Sequence, residues 1–249
     1  MTTQEMLNII RSQLTTDLNC TPDDLNGETD SFVFTEVRNN PGRRPFPRGE
    51  RHFEMYSMGT SVVVSASPDI LEIVKPLLEG KTRDEAFNMS FVEGQGINFL
   101  PDLARITPIN PPDGFDYETV ERDEIPALYR HEGFHYALQY DEDHPRPDVL
   151  AVTAKKDGSI IGIAGASDDC AKIWQIGVNV LPGFRNYGLA KYLVNRLTLD
   201  ILKRGYVPHY ATATSNIISQ RVAFYAGYYP SYVCAYKGRF EGMECMPSS

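Results

Sequence analysis

The chain has 249 residues, 42% of them hydrophobic and 23% charged. These are the proportions of an ordinary globular protein, long enough for more than one average domain. A formal net charge of -9 makes nucleic acid and anionic membranes poor partners. No apolar run approaches the ~18 residues needed to cross a bilayer. The first residues, MTTQEMLNIIRSQL, lack the basic start and apolar run of a secretory signal, so a cytoplasmic location is expected. Cys20, Cys170, Cys234 and Cys245 are scattered, with no CxxC pair and no histidine at ligand spacing. Neither a structural metal nor a disulfide framework is expected.

Apolar residues at Met6, Ile9, Ile10, Leu14 and Leu18 have helical spacing. A turn-rich break covers 19–27, and 31–37 alternates as a strand does. The stretch RNNPGRRPFPRGER at 38–51 is too rich in proline and glycine for regular structure. It reads as a basic loop, either solvated or in contact with an anion. Residues 52–66 suggest one or two strands with Gly59 at a turn or bulge. A helix over 68–78 follows Ser67 as cap and ends at Gly80, and 91–100 reads as strand or loop. ITPINPPDG at 106–114 is a proline-rich joint. It divides a smaller mixed α/β domain, 1–108, from a second domain, 109–249.

In the second domain, Ile125, Leu128, Tyr129, Phe134, Ala137 and Leu138 predict a helix within 123–140. A strand at 149–154 and a returning strand at 160–166 flank Lys156-Asp157-Gly158, a hairpin turn of the Asp-Gly kind. Another strand covers 173–180. A helix over 188–204 has Gly205 as its C-cap. Strand 207–214, helix 216–226 and strand 229–236 complete the chain.

The informative stretch is IWQIGVNVLPGFRNYGLAKYLVNRL, 173–197. An apolar strand runs through Pro182 into Arg185, Asn186, Tyr187, Gly188, Leu189 and Ala190, and then into a helix. Backbone N–H groups at such a helix start, with the positive end of the helix dipole, bind anions. Gly188 lets phosphate oxygens approach, Ala190 keeps the first turn thin, and Arg185 adds charge. A second strand–helix unit, ATATSNIISQRVAFYAGYYP at 211–230, follows at a short distance.

Together these segments resemble the GNAT acetyltransferase superfamily. Arg185, Gly188 and Ala190 match its R/Q-x-x-G-x-G/A signature. Asn216, Ser219, Arg221, Val222, Gly227 and Tyr228 match the following N-x-x-S-x-R-V…G-F element, with tyrosine in place of phenylalanine. The chain also resembles a two-domain bacterial group of GNAT proteins, with WQIGVNVLP as the shared string. The resemblance implies an α/β (α+β) fold with a mixed, mostly antiparallel sheet flanked by helices, whose fourth and fifth strands splay apart. It implies acetyl-CoA between those strands, its pantetheine arm on backbone around Val178 and Val180 and its pyrophosphate on 185–190. Asn216 and Ser219 would face the pantetheine or the adenosine; their spacing puts both on one face of the helix.

The reaction so implied is direct attack of a small or peptidyl primary amine on the thioester. Keeping a lysine-type amine neutral at pH 7 costs about 4–5 kcal/mol, so a base is expected. The strand IWQIGVNV has no carboxylate. Asp168 and Asp169, expected in a loop just before it, are the candidates to hold a water or the substrate ammonium. Glu132, His131, His135 and His209 are open alternatives. Many relatives carry a tyrosine seven residues after the asparagine; here that position is Ala223, and Tyr225 lies on the other side of the helix. Two further readings stand beside an acetyltransferase. One is a glycine N-acyltransferase-like enzyme using a longer acyl-CoA, and the other is a CoA-binding module without catalysis.

Overall fold

The computed structural model describes residues 1–45 and 51–242. The centre of the basic loop, 46–50, and Cys245 therefore lie outside the described residues. The ordered elements are α1 (Thr3–Leu18), β1 (Phe32–Glu36), β2 (Phe53–Ser57), β3 (Val62–Ala66), α2 (Pro68–Leu78), α3 (Arg83–Phe87), β4 (Val92–Pro101) and β5 (Asp116–Glu121). They continue with β6 (Asp148–Lys156), β7 (Ser159–Cys170), β8 (Ile173–Val180), α4 (Leu189–Lys203), β9 (Val207–Ala213), α5 (Ile217–Tyr225) and β10 (Tyr228–Gly238). Short 3-10 helices occupy Asp24–Asn26, Arg122–Arg130 and Pro182–Phe184. The chain divides into two compact units. One holds residues 1–9, 99–211 and 216–230; the other holds 10–98, 212–215 and 231–249.

In the unit containing 10–98, β1 runs parallel to β3, β3 antiparallel to β2, and β2 antiparallel to the end of β10. Every residue of β2 and β3 is buried. The apolar face of α2 closes on them: Ile70, Leu71, Ile73, Val74 and Leu78 join Phe53, Met55, Val62, Val64, Phe91 and Phe240 in one core. The basic loop takes neither of its expected forms at Arg43 and Arg44. Both guanidiniums are buried, Arg43 on Glu54 and Arg44 on Asp17, and His52 also reaches Glu54 at 2.9 Å. Charge buried in this way must be paired, so these two arginines are committed inside the protein. Helix α3 has a readable signal: Thr82 and Glu85 form a capping box, the T-x-x-E pattern of a helix start.

In the unit containing 99–211, β5, β6, β7 and β8 form an antiparallel ladder, and β9 joins β8 in parallel. The β6–β7 hairpin turns through Asp157 (φ 50°) and Gly158 (φ 79°), the left-handed pair of a tight Asp-Gly turn. Helix α4 packs against β6, β7 and β8, burying Leu189, Tyr192, Leu193, Leu197 and Ile201. On this α4 also sits Asn195, almost fully buried. Its Nδ2 donates to the carbonyls of Thr107 and Ala226, and its Oδ1 accepts from the N–H of Ile109. The proline-rich stretch 106–114 is thus pinned to the helix at Thr107 and Ile109.

Two expectations need correction here. The segment 123–140 is not one α-helix. A 3-10 helix covers Arg122–Arg130 with Pro126 inside it, and a proline removes a donor and crowds the preceding turn. Gly133 then takes φ 93°, and the rest of the segment is irregular, with a turn at 135–137. Asp168 and Asp169 are not in a loop: β7 runs through them to Cys170. The register shifts between Asp168 and Cys170, a bulge that lets the strand continue past the polar pair.

Candidate functional site

The pairing of β8 with β9 covers four positions only, from Ile173–Val207 to Ile176–Tyr210. Strand β8 continues through Gly177, Val178, Asn179 and Val180 while still paired to β7. Its edge beyond Ile176 therefore offers backbone donors and acceptors that β9 does not take. All four of these residues are partly exposed. Val178 and Val180, named from the sequence as backbone partners of a pantetheine arm, sit here.

The chain then turns through Pro182–Phe184 into α4. Asn186 and Gly188 both take left-handed backbone, φ 69° and 82°, and Gly188 is the N-cap of α4 with no side-chain cap bond. The first-turn N–H groups of this helix are thus without the usual Ser, Thr or Asp oxygen. No acidic residue lies in that turn; instead Lys191 does, with its side chain 3.2 Å from where a Cβ on Gly188 would stand. A cation at a helix N-terminus opposes the macrodipole, and an anion bound there removes the conflict. Arg185 and Tyr187 are exposed, and Arg185 Nε donates to the carbonyl of Val180 at 3.3 Å. The side chain of Leu189 is buried, so only its backbone is available, and Ala190 is partly exposed.

Asn216 and Ser219 have internal partners. Asn216 Oδ1 caps α5 by accepting from the N–H of Ser219 at 3.1 Å, and Ser219 Oγ lies 2.8 Å from Tyr210 Oη. Ala223 is fully buried, while Tyr225 is 62% exposed and packs its ring edge-on to Phe224. The two residues thus lie on opposite sides of α5, as 100° per residue requires.

Asp168 and Asp169 are brought together in sequence but not in role. Asp168 faces Arg122 at 3.4 Å. Asp169 is buried, 3.5 Å from Arg146, and accepts from Ser167 Oγ. Each carboxylate is already one half of an ion pair. His131 accepts Arg130 Nε, its carbonyl accepts Tyr140 Oη, and Glu132 and His135 are exposed.

Sequence reasoning missed two features of this face. The first is a cross-strand row. Asp148 pairs with Ser167, Ser167 with Gln175, and Gln175 with His209. Paired residues point to the same face of a sheet, so four polar side chains from four strands line up, three of them buried. Asp148 accepts from Tyr129 Oη at 2.9 Å and from the N–H of Gln139 at 2.8 Å. Burial raises its pKa from the ordinary carboxylate value, against those two hydrogen bonds. The second is a pair of glycines two residues further along the same face. Gly165 and Gly177 are cross-strand partners. The turn at 134–138 lies directly on them. A Cβ on Gly177 would stand 1.6 Å from the carbonyl oxygen of Tyr136, and one on Gly165 would stand 1.9 Å from that of Ala137. Asn179 Oδ1 accepts from the N–H of Tyr136 at 2.8 Å.

A splayed strand pair beside a glycine-capped helix start, preceded by an antiparallel ladder, is the arrangement the sequence motifs implied. Residues 116–228 match the model of the Acetyltransferase (GNAT) family. Residues 116–228 thus carry the match to a GNAT acetyltransferase domain. No curated protein matches the chain. Among solved structures, a GCN5-related N-acetyltransferase-like protein from Streptococcus suis 89/1591 is 16% identical. The match covers 96% of this chain and all of that one, with a TM-score of 0.50, a likeness of fold. A GNAT family protein from Novosphingobium aromaticivorans is 18% identical over 57% of this chain, TM-score 0.41, and the chain spans 63% of that protein's length. An aminoglycoside N-acetyltransferase, AAC(6')-Iy, solved in complex with CoA, is 22% identical over 49% of this chain and 93% of its own, TM-score 0.37.

Proposed function

We propose that the protein transfers an acetyl group from acetyl-CoA to a primary amine by direct attack. The observation that carries the reading is the start of α4. Gly188 caps it without a side chain, Lys191 stands where a cation is unfavourable on its own, and the unpaired end of β8 lies just before it. These features fit a pyrophosphate on 185–190 and a pantetheine arm along Val178 and Val180.

In the reaction, the amine nitrogen adds to the thioester carbonyl carbon, the C–S bond breaks, and CoA leaves as a thiolate. A thiol of pKa ~8.5 is a tolerable leaving group near neutral pH, so the missing tyrosine at position 223 is no obstacle. The ammonium of the free acceptor must first lose a proton. One pair before the splay, His209 is a side chain able to accept a proton and Gln175 beside it is a hydrogen-bonding partner; with Asp168 and Asp169 ion-paired, His209 supports the route for that proton best. The pairing of those two aspartates also favours a second reading, a module that binds acyl-CoA without turning it over. Sustained CoA release with a panel of amines separates the two.

Calorimetric titration with acetyl-CoA tests the binding itself. At a free concentration 100 times Kd, binding stabilises the fold by about 2.7 kcal/mol, a Tm rise of roughly 5–11 °C for a domain of this size. Gly188→Val places a β-branched residue at positive φ, where such side chains are strained, and is expected to abolish the rise. Wild-type protein that binds no acetyl-CoA sinks the reading.

A further inference from the structure

Tyr136 belongs to no helix or strand, and it is 80% exposed, more than any other large hydrophobic residue among the described residues. A loose loop would account for that, but this one is held tightly. Its N–H donates to Asn179 at 2.8 Å, its carbonyl rests on Gly177, and the next carbonyl rests on Gly165. Phe134, Ala137 and Leu138, on either side, are buried. The ring is therefore presented to solvent from a fixed backbone.

Its place is also specific. Gly177 and Asn179 are residues of β8 beyond its last pair with β9. The turn that carries Tyr136 therefore sits on the part of β8 that β9 leaves unpaired. The connection that carries it is mainly negative in charge: Glu132, Asp141, Glu142 and Asp143 are exposed in it. Of the nearby cations, Arg146 is paired with Asp169 and Arg130 is turned onto His131. An electron-rich ring face attracts a cation, carboxylates in the same connection favour one, and such contacts strengthen as water is excluded.

Resting on the acetyl-transfer reading above, we propose that Tyr136 is the specificity-determining residue for the acceptor, and that the acceptor is a small primary amine carrying a second cationic centre. The glycine pair and Asn179 act as positioning residues for it, seating the turn that carries the ring on the end of β8.

The test is calorimetry on protein saturated with CoA, using 1,5-diaminopentane and n-pentylamine, which share a body and differ in the second charge. Wild type is expected to bind the diamine at least fivefold more tightly. Tyr136→Phe keeps the ring face and should keep the preference; Tyr136→Ala should lose it, with CoA affinity unchanged. Asn179→Ala, which frees the turn without touching the ring, should weaken the preference in between. Thermal melting confirms that each variant is folded. Equal binding of the two amines by wild type, or a preference retained in Tyr136→Ala, overturns the proposal while leaving the acetyltransferase reading intact. Failure to bind CoA at all overturns both.

Discussion

Replacing Gly177 by alanine adds one methyl group, and the structure says where it must go. The new Cβ would stand 1.6 Å from the carbonyl oxygen of Tyr136 and 2.8 Å from its carbonyl carbon. A C···O contact needs roughly 3.3 Å, so the turn has to lift by well over an ångström. Both clashing atoms are backbone, so no side-chain rotation relieves the contact. Lifting it removes the Tyr136 N–H bond to Asn179, worth about 1 kcal/mol. It also disturbs Phe134, Ala137 and Leu138, which share a buried cluster with Ile125, Leu128, Ala151 and Ile163. Overpacking of that kind costs about 1–3 kcal/mol. Together these give a loss of roughly 2–4 kcal/mol, or a Tm lowered by about 4–16 °C. Gly183→Ala is the control: it has nothing within 4 Å of its Cβ position and should stay within about 0.5 kcal/mol of wild type. Gly165→Ala should resemble Gly177→Ala, and the double variant should lose less than the two losses added, because both displace the same turn. Differential scanning calorimetry and urea melts read all four. If Gly177→Ala melts with the Gly183→Ala control, the turn does not rest on the glycine pair, and the seating of Tyr136 goes with it.

Two further outcomes follow from the buried carboxylate and from the exposed tyrosine of α5. Asp148 has a raised pKa through burial, so folding favours its protonated form. Its contribution is greatest below the unfolded value of ~3.9 and is lost as pH rises through the folded value. Asp148→Asn keeps an acceptor for Tyr129 and Gln139 without the charge; the Tm of this variant minus that of wild type should grow between pH 4 and pH 7, and a constant or shrinking difference refutes the assignment. Tyr225 lies opposite buried Ala223 on α5, so Tyr225→Phe should keep kcat within about threefold. A fall of a hundredfold with acetyl-CoA affinity intact would make Tyr225 the proton donor, since general acid catalysis is worth at least that much.

Most of the second half of the chain was legible because its signals are local. The Asp157-Gly158 turn, the strand at 173–180, and α4 between Gly188 and Gly205 each rest on residues within a few positions of one another, and each stands where the pattern put it. The helix expected over 123–140 failed because its apolar spacing is real but serves a 3-10 helix and a turn. Pro126 and Gly133, both visible in the sequence, were the signs that outweighed the period. Strand β5 was missed because its DYETVE pattern buries only Val120, too weak an alternation to stand out. Arg43 and Arg44 misled in another way. A run of arginines, prolines and glycines reads as solvated or anion-binding, and only distant partners, Asp17 and Glu54, reveal that the charges are internal.

The anion-binding half of the proposed site could be read from the sequence and the proposed acceptor half could not, for one physical reason. A phosphate cradle is made by consecutive backbone groups, so its requirements for Gly188, a helix behind it and a strand before it fall within one stretch of sequence. The proposed acceptor face is made across strands. Asp148, Ser167, Gln175 and His209 are separated by 8 to 34 positions and meet only through register. Gly165 and Gly177 look in sequence like any glycines in a strand, a residue that weakens strands unless something needs the room. The thing that needs it is a pair of carbonyls about thirty to forty positions earlier. Two such glycines in neighbouring strands, both short of a special φ, are a mark of close approach rather than of a turn. That distinction separates them from Gly158 and Gly188, which need left-handed backbone. Alanine scanning makes the same distinction by experiment: at Gly158, where nothing lies within 4 Å of the Cβ position, the penalty comes from backbone strain alone. At Gly165 and Gly177 it comes from contact, so it should fall when the turn above them is loosened by Asn179→Ala.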